Sequence, residues 1–326
     1  MQLRYGLNPH QGPSTATPID PAREPFRFLH GNPSYINVLD AAASWQLVKE
    51  AANALGRPAA ASFKHVSPAG AATAGPIDAV MAATHGLDPA ATGAVTSAYV
   101  RARDADPKSS YGDFIAVSGP VDAELADLLR RVVSDGIVAP GYEPGVMATL
   151  SKKKGGRFLV VQADPDFQPP QTETREVYGL SLTQPRDALA LTRDLVSDPR
   201  LPARAVDDLL LGLIVVKHTQ SNSVAYLRDG MTLGIGAGQQ SRVDCTQVAG
   251  AKVDTWWLRR DPGVLDGVAF VSDGALPFAD NVEEAARHGV RYIAEPGGSI
   301  RSAEVLAECQ RTGITLVRTG VRLFRH

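Results

Sequence analysis

Lys64 and His65 are the neighbouring residues whose side chains could most directly do chemistry. They follow the apolar run 59–63, which predicts a buried strand, and the Ser-Pro-Ala-Gly segment 67–70 predicts a turn away from it. An ammonium group beside an imidazole joins a charge stabiliser to a group that titrates near neutral pH. The alternative is a strand that ends in two solvated polar residues.

A second polar run, residues 217–224, follows the very apolar stretch 209–216, which predicts another buried strand. Polar side chains in that position are costly unless they face a site or pair with one another. Asn222 could donate to and accept from a ligand amide, whereas the closely spaced hydroxyls and carbonyls could hold a hard cation. A hydrogen-bonded turn without a ligand is the alternative.

Further segments carry groups suited to an anion. Arg4 lies in a dense polar run near the amino terminus, where its guanidinium suits a phosphate or carboxylate unless the segment is a solvated tail. Arg242 follows glycines spaced G-x-G-x-G, which allow an anion site or a plain turn but do not match the dinucleotide fingerprint. Asp280 and Glu283 predict a capping box. The last five residues predict a disordered basic tail unless the ring of Phe324 is buried.

The composition is that of a globular protein large enough for two domains. The chain has 326 residues, 44% hydrophobic and 21% charged, with a formal net charge of -2. This balance argues against nucleic acid or an anionic membrane as the main partner, and no apolar run reaches membrane-spanning length. Cys245 and Cys309 are too few for a disulfide framework, which indicates a reducing, cytoplasmic compartment. The sequence lacks the zinc-deaminase, nucleophile-elbow and Walker motifs.

Alternating strands and helices must position these groups. The periodic segments, in chain order, are 114–117 (strand), 123–133 (helix), 136–139 (strand), 268–271 (strand), 280–289 (helix), 290–294 (strand), 302–312 (helix) and 314–318 (strand). The polar stretch 164–176 predicts a linker or a long surface crossing. This order predicts an α/β fold with a mainly parallel sheet, in two halves of similar architecture.

Taken together, the polar runs resemble one family. The matching runs are Leu3-Arg4-Tyr5-Gly6, Ser62-Phe63-Lys64-His65-Val66-Ser67-Pro68-Ala69-Gly70, 134–143, 219–224, 234–242 and Arg322-Leu323-Phe324. In this order they resemble the transformylase domain of the AICAR transformylase/IMP cyclohydrolase family of purine biosynthesis, over almost the whole chain. Because the match starts at the first residues, the resemblance implies a stand-alone transformylase without the cyclohydrolase domain.

The resemblance implies a reaction and a fold. A formyl group would pass from 10-formyltetrahydrofolate to the 5-amino group of AICAR, giving formyl-AICAR for IMP biosynthesis. The implied fold has two cytidine-deaminase-like subdomains, each a three-layer α/β/α unit without zinc, in a homodimer with active sites at the interface. We expect the first subdomain at 1–165, a crossing segment at 166–190 and the second subdomain at 191–326.

The resemblance also implies roles for single residues. His65 would be the general base that deprotonates the attacking amine, Lys64 would stabilise the formyl oxygen or assist the departing folate nitrogen, and Asn222 would position both reactants. The implied nucleotide contacts are Arg4, Tyr5, Gly112, Asp135, Arg242, Arg322 and Phe324. The implied folate contacts are Val243, Ala275, Asp280, Ser299 and Ile300. A potassium ion is implied at Thr219, Ser221, Ser223, Asp273 and His326.

The sequence departs from the family pattern mainly at the folate pocket. Ala275 and Leu276 stand where the family has phenylalanines, and Ala279 stands where it has an arginine. A long helical insertion expected between Trp257 and Val268 is also absent. Two other hypotheses stay open: a related formyltransferase with a different amine or donor, and a non-catalytic nucleotide-binding module.

Overall fold

The computed structural model describes residues 1–257, 260 and 265–326. The strands are Gln2–Leu3 (β1), Ser14–Thr15 (β2), Phe26–His30 (β3), Ala59–Lys64 (β4), Ser67–Thr73 (β5), Asp113–Val117 (β6), Ser134–Ala139 (β7), Leu159–Ala163 (β8), Thr172–Val177 (β9), Leu180–Pro185 (β10), Val224–Arg228 (β11), Met231–Gly236 (β12), Val268–Ser272 (β13), Val290–Glu295 (β14) and Thr315–Arg318 (β15). The helices are Tyr35–Leu55 (α1), Ala79–His85 (α2), Ala94–Asp104 (α3), Ala123–Arg131 (α4), Val146–Leu150 (α5), Ala203–Lys217 (α6), Arg242–Trp257 (α7), Asp280–Ala286 (α8) and Ser302–Thr312 (α9).

The chain uses one arrangement of elements twice. Each half has a long helix, a β-hairpin, and then three strands that are each preceded by a helix; the first half adds α2. The strand order is β15-β14-β13-β11-β12-β5-β4-β6-β7-β8-β3, so the two halves mirror each other about the β12–β5 pair, apart from the additional edge strand β3 of the first half. The prediction of an α/β fold in two similar halves is therefore confirmed. The domain boundaries stay a prediction, because one continuous sheet joins the halves.

The sheet is mixed, so the prediction of a mainly parallel sheet is wrong. The parallel pairs join β6 to β7, β7 to β8, β13 to β14 and β14 to β15. The hairpins β4–β5 and β11–β12 are antiparallel, and so are their pairings with β6 and β13. The difference arises because two hairpins, which need only short turns, occupy the middle of the sheet.

The stretch 209–216 forms most of helix α6, so the strand predicted there is wrong. Every residue of this stretch is buried, because α6 packs on the sheet and against α1. A helix buried all round shows no apolar stripe, and its apolar run resembles that of a buried strand. A methyl group at Gly212 would lie 2.4 Å from the side chain of Val271, so glycine permits the close approach of α6 to β13.

Three smaller predictions also change. Asp280 does not cap α8: its carboxylate accepts from the Asn281 side chain at 2.7 Å, and the helix begins at Asp280 itself. Part of the predicted linker forms β9, which pairs with β10 in a separate two-stranded hairpin. The carboxyl-terminal tail is held by the fold, as described below, although Phe324 is 45% exposed.

Two further points concern the extent of the chain. Among the described residues, no helix is long and apolar enough to cross a membrane. The segment where the longer helical insertion was expected lies mostly outside the described residues.

Candidate active site

The β4–β5 hairpin presents Lys64 and His65 at one edge of the sheet. Lys64 pairs with Ser67, so His65 and Val66 form a two-residue turn. His65 is exposed, Lys64 is half-buried, and Val66 packs partly into the core. The strand end is therefore a rigid support for two side chains that face outward.

The backbone of this turn is unusual for its residues. His65 and Val66 both have left-handed conformations, with φ of 53° and 61°. A non-glycine residue in such a conformation costs roughly 1–3 kcal/mol, and a β-branched residue is a clear outlier. The equivalent turn of the second half, between β11 and β12, uses Asp229 and Gly230, which suit this geometry. Turn propensity does not account for His65 and Val66, which makes this turn a candidate functional element.

Lys64 is held beside another residue expected at the site. Its Nζ donates to the carbonyl oxygen of Tyr111 at 2.6 Å. Gly112 follows directly, with φ of 81°, and a methyl group there would lie 3.8 Å from the Lys64 Nζ. Gly112 therefore supplies a backbone turn that only glycine adopts readily, in contact distance of the ammonium group.

Asp135 lies at the start of β7, in a neighbouring cleft rich in cations. Its carboxylate pairs with Lys154 Nζ at 2.5 Å, and both side chains are about two-fifths exposed, at 43% and 41%. The cleft has a volume of about 710 Å³, and its charged lining includes Arg130, Lys152 and Lys153 as well as Lys154. The excess of cations makes this part of the surface attractive to an anionic group.

Asp40 is a residue near the site that the sequence reasoning missed. It lies on α1, buried, and its Oδ1 accepts from the Val66 backbone N–H at 2.7 Å. Burial raises the pKa of this carboxyl group to about 6, against the opposing effects of the Val66 amide and of His65, while Asp135 adds to the rise. In the sequence, Asp40 could have been noticed as an acidic residue within the apolar face of a helix.

Arg4 and Tyr5 are fixed to the start of α1 and do not form a solvated tail. The Arg4 N–H donates to the Pro33 carbonyl at 2.9 Å, and the Tyr35 N–H donates to the Tyr5 carbonyl at 3.1 Å. The Arg4 guanidinium lies over the Tyr5 ring, 4.7 Å from its centroid, and remains exposed. Because α1 also carries Asp40, these residues lie at the same end of the helix as the Lys64–His65 turn.

A second polar cluster contains Asn222, Arg242 and Asp273. Arg242 bridges the other two: Nη2 donates to Asn222 Oδ1 at 2.6 Å and Nη1 to Asp273 Oδ1 at 2.5 Å. The Asn222 amide donates to the carbonyl oxygens of Gln239 at 2.8 Å and Gln240 at 3.1 Å. Asp273 is fully buried and Arg242 is nearly so, which makes this a desolvated, charge-assisted network.

The carboxyl-terminal tail completes this cluster. Its backbone is held on two sides, because the Leu323 N–H donates to the Asp273 carbonyl and the Ser221 N–H donates to the Arg325 carbonyl, each at 2.9 Å. The Arg322 guanidinium lies over the Phe324 ring, 4.7 Å from its centroid. The prediction of a disordered tail is wrong, since backbone hydrogen bonds and the buried Leu323 anchor the segment.

The expected folate contacts lie around the carboxyl ends of β13 and β14. Val243 follows Arg242 and is half-buried, as is Ala275; Asp280 is exposed. Ser299 and Ile300 belong to the loop after β14, where Ile300 is fully exposed. Val243 and Ala275 lie within two residues of Arg242 and Asp273 in the sequence, and the role of the five residues with folate stays a prediction.

The residues expected to hold potassium do not form an open cage of oxygens. Ser221 Oγ and the Ser223 N–H both donate to Asp273 Oδ2, while Arg242 neutralises this carboxylate. The Thr219 hydroxyl donates to the Val215 carbonyl at 2.6 Å, and the His326 carbonyl accepts from Arg175 at 3.0 Å. Potassium binding stays a prediction of the family resemblance, and no step below depends on it. Among the described residues, no group of three or more His, Cys, Asp or Glu side chains could hold a metal ion.

The two polar groups lie at the same edge of the sheet but not side by side. Lys64 ends β4 and Asn222 precedes β11, with β5 and β12 between these strands. Three interstrand spacings amount to roughly 14 Å. Within one chain, three strand spacings thus separate the backbones of Lys64 and Asn222, and the hydrogen bond to Tyr111 holds the Lys64 ammonium on the β6 side of β4, away from β11.

The fold and these two polar clusters define an α/β protein of duplicated architecture with a candidate site for anionic ligands. Comparison with known proteins identifies the family: the sequence model of the AICARFT/IMPCHase bienzyme matches residues 1–252. The chain belongs to this family.

Curated relatives agree with this assignment. Proteins described as bifunctional purine biosynthesis protein PurH are 34% identical in Ruegeria sp. (strain TM1040) and 36% identical in Roseobacter denitrificans, each alignment covering 99% of this chain. The corresponding protein of Chlorobium phaeobacteroides is 34% identical over 100% of the chain. The chain spans 59% of the length of each of these relatives.

Proposed function

We propose that the protein transfers a formyl group from 10-formyltetrahydrofolate to the 5-amino group of AICAR. The observation that carries the proposal is the Lys64–His65 turn, where a titratable imidazole occupies a left-handed backbone position that Gly or Asn normally takes. The relatives are described as purine biosynthesis proteins, which agrees with this reaction class. A pure nucleotide-binding module would not need an exposed base at this position.

The chemistry assigns each group a step. The amine nitrogen of AICAR attacks the formyl carbon, a C–N bond forms, and His65 takes the proton that the amine loses. Negative charge develops on the formyl oxygen, where the Lys64 ammonium stabilises it. The bond from the formyl carbon to N10 of the folate then breaks, and N10 accepts a proton from the Lys64 ammonium, giving tetrahydrofolate; this proton balances the one that the amine loses to His65. Lys64 keeps two N–H groups for these tasks beyond the one donated to Tyr111.

Asn222 would act through its carbonyl oxygen. Both hydrogens of its amide nitrogen are engaged by backbone carbonyls, whereas Oδ1 accepts from Arg242 alone among the described residues. An amide oxygen can accept two hydrogen bonds. We infer that the free lone pair of Asn222 Oδ1 orients the N–H of the attacking amine, while the hydrogen bond from Arg242 holds the Asn222 amide in place.

The site would be shared between two copies of the chain. The backbones of Lys64 and Asn222 lie three strand spacings, roughly 14 Å, apart in one chain, and the Lys64 ammonium is held on the β6 side of β4, so we expect a reacting group that meets both to lie between two copies. The β9–β10 hairpin lies outside the main sheet and exposes Val177, Tyr178, Leu180 and Leu182. A two-stranded hairpin with apolar side chains in water is marginal by itself, so this surface suits an interface in a homodimer.

A different formyl donor is the second candidate function. Leu276 is buried, with 1% of its surface exposed, so it cannot line a ligand pocket, and Ala275 offers only a methyl group. Phe278 is 47% exposed and carries the Arg301 guanidinium over its ring, so it could supply aromatic surface to a pterin instead. Calorimetric titration with tetrahydrofolate decides: binding in the micromolar range supports the folate donor, and no binding favours the second candidate.

Incubation with AICAR and 10-formyltetrahydrofolate, with mass detection of the nucleotide, tests the proposed function. We expect formyl-AICAR to form in proportion to tetrahydrofolate. Folded protein that binds AICAR but forms no product would contradict the proposal.

A further inference from the structure

A buried carboxylate holds the turn that presents Lys64 and His65. In a two-residue hairpin turn the second central N–H has no partner in the strand ladder. Here that N–H belongs to Val66, and it donates to Asp40 Oδ1 at 2.7 Å. Asp40 is 7% exposed, and among the described residues the structure gives it no cationic partner within ion-pair distance. Burying a carboxylate with one neutral donor is unfavourable, so packing alone does not explain an aspartate here.

The second half of the chain also has a buried carboxylate that accepts hydrogen bonds from a hairpin turn, but this turn carries no candidate catalytic residue. Asp208 on α6 accepts from the N–H groups of Asp229 at 3.0 Å and Gly230 at 2.6 Å, in the β11–β12 turn. Asp208 is also buried, and burial raises the pKa of both Asp40 and Asp208 to about 6. The β11–β12 turn lies at the opposite edge of the sheet from Lys64, since β12 begins beside the end of β5.

We infer that Asp40 is a positioning residue for the catalytic turn. Its carboxylate fixes the Val66 amide, Val66 packs inward, and the turn thereby presents His65 and Lys64 although His65 and Val66 do not favour its left-handed backbone. The inference deepens the proposed function and rests on it for the catalytic consequence, but the anchoring of the turn by Asp40 is independent of the reaction.

Three variants separate positioning from general stability. Asp40→Ala removes the acceptor; Asp40→Asn keeps an oxygen at the same place but removes the charge; Asp208→Ala removes the equivalent acceptor at the turn far from the site. We expect Asp40→Ala to lower kcat by about 100-fold, the effect of misplacing reacting groups by an ångström, with little change in the Kd for AICAR. Asp40→Asn should recover most of the loss, and Asp208→Ala should keep near wild-type kcat despite a similar fall in Tm.

Hydrogen exchange at the Val66 amide provides a readout that does not need activity. It should be faster in Asp40→Ala than in Asp40→Asn, Asp208→Ala and the wild type. If Asp40→Ala does not fold, Asp40→Ser, whose hydroxyl is one bond shorter than the carboxylate, replaces it.

The inference is overturned if Asp40→Ala loses no more kcat than Asp208→Ala, or if Asp40→Asn is as slow as Asp40→Ala. If the wild type turns over no AICAR, the proposed function fails, and the Val66 exchange rates alone decide: unchanged rates in Asp40→Ala overturn the anchoring role, and a selective increase supports it.

Discussion

The Lys64 ammonium donates a 2.6 Å hydrogen bond to the carbonyl oxygen of Tyr111. This contact joins the end of β4 to the segment that precedes β6, and it fixes the charge beside Gly112 instead of leaving it at the tip of a mobile side chain. An oriented charge stabilises a developing oxyanion better than a mobile one, because the reaction then needs no reorganisation of the group.

Removal of the Lys64 charge should impair catalysis much more than binding. For Lys64→Met we expect kcat to fall by about 10²–10³-fold, the range seen when one stabilising group is lost. The Kd for AICAR, measured by calorimetry, should change far less. Lys64→Arg is the control that keeps the charge, and it should retain more activity than Lys64→Met. A methionine variant with near wild-type kcat would remove Lys64 from the mechanism.

Replacement of His65 by asparagine should separate the base from the turn. Asparagine tolerates the left-handed conformation better than most residues, so His65→Asn should keep or slightly raise the Tm. Loss of the general base should lower kcat by about 10²–10⁴-fold. Thermal unfolding and steady-state kinetics on the same sample check both parts. Full activity in this variant would show that the imidazole is not the base.

The approach of Phe324 and Arg242 to Gly274 predicts that a methyl group there weakens nucleotide binding. A Cβ at Gly274 would lie 2.6 Å from both the Phe324 ring and Arg242 Nη2. Displacement of a charge-assisted contact costs about 1.5–3 kcal/mol, so Gly274→Ala should raise the Kd for AICAR by about 10–100-fold. Gly141→Ala is the matched control, because a methyl group at Gly141 meets nothing within 4 Å. Equal affinities in the two variants would contradict this prediction.

The pH dependence of stability should report on Asp208. Burial raises its pKa from 3.8 to about 6, opposed by the Gly230 and Asp229 amides. Between these pH values the folded state binds more protons than the unfolded state, so stability falls as the pH rises. Relative to Asp208→Asn, the wild type should lose about 2 kcal/mol of unfolding free energy from pH 4 to pH 7. Urea unfolding at four pH values measures the difference; parallel curves would contradict the raised pKa.

Several elements could be predicted from local sequence because their signals agree. The strands Val268–Ser272 and Val290–Glu295 are short apolar runs, and helix Ser302–Thr312 has an apolar face and ends at Gly313 in a left-handed conformation. A strand was predicted in place of helix α6 because complete burial removes the helical period of apolar residues. The β4–β5 hairpin was missed because the His65–Val66 turn lacks the glycine or asparagine that marks a hairpin, whereas the Asp229-Gly230 signal of the β11–β12 hairpin was present but not used.

The candidate site was predicted as separate runs, and only the fold shows which of them meet. Arg242, Asn222 and Asp273 are far apart in sequence but share one network. Asp40 belongs to no sequence motif, because its role depends on the backbone N–H of Val66, which reaches the carboxylate only when the hairpin forms. The spacing of residues along the chain does not predict a tertiary contact of this kind.

A shared site predicts complementation between inactive variants. His65→Asn and Asn222→Ala should each be nearly inactive alone. If one chain supplies His65 and its partner supplies Asn222, a mixture of exchanged subunits contains one intact site in each mixed dimer and regains about a quarter of the wild-type activity. Light scattering establishes the dimer beforehand. A mixture no more active than its two components would place the complete site within one chain.

Transfer of a labelled formyl group tests the central claim most directly. The protein is incubated with AICAR and 10-formyltetrahydrofolate carrying a ¹³C-labelled formyl carbon, and the nucleotide product is analysed by mass spectrometry alongside His65→Asn. The account predicts labelled formyl-AICAR, with one label for each tetrahydrofolate formed, and a much lower rate in the variant. No labelled nucleotide from folded, AICAR-binding wild type, or equal rates in the variant, would contradict it.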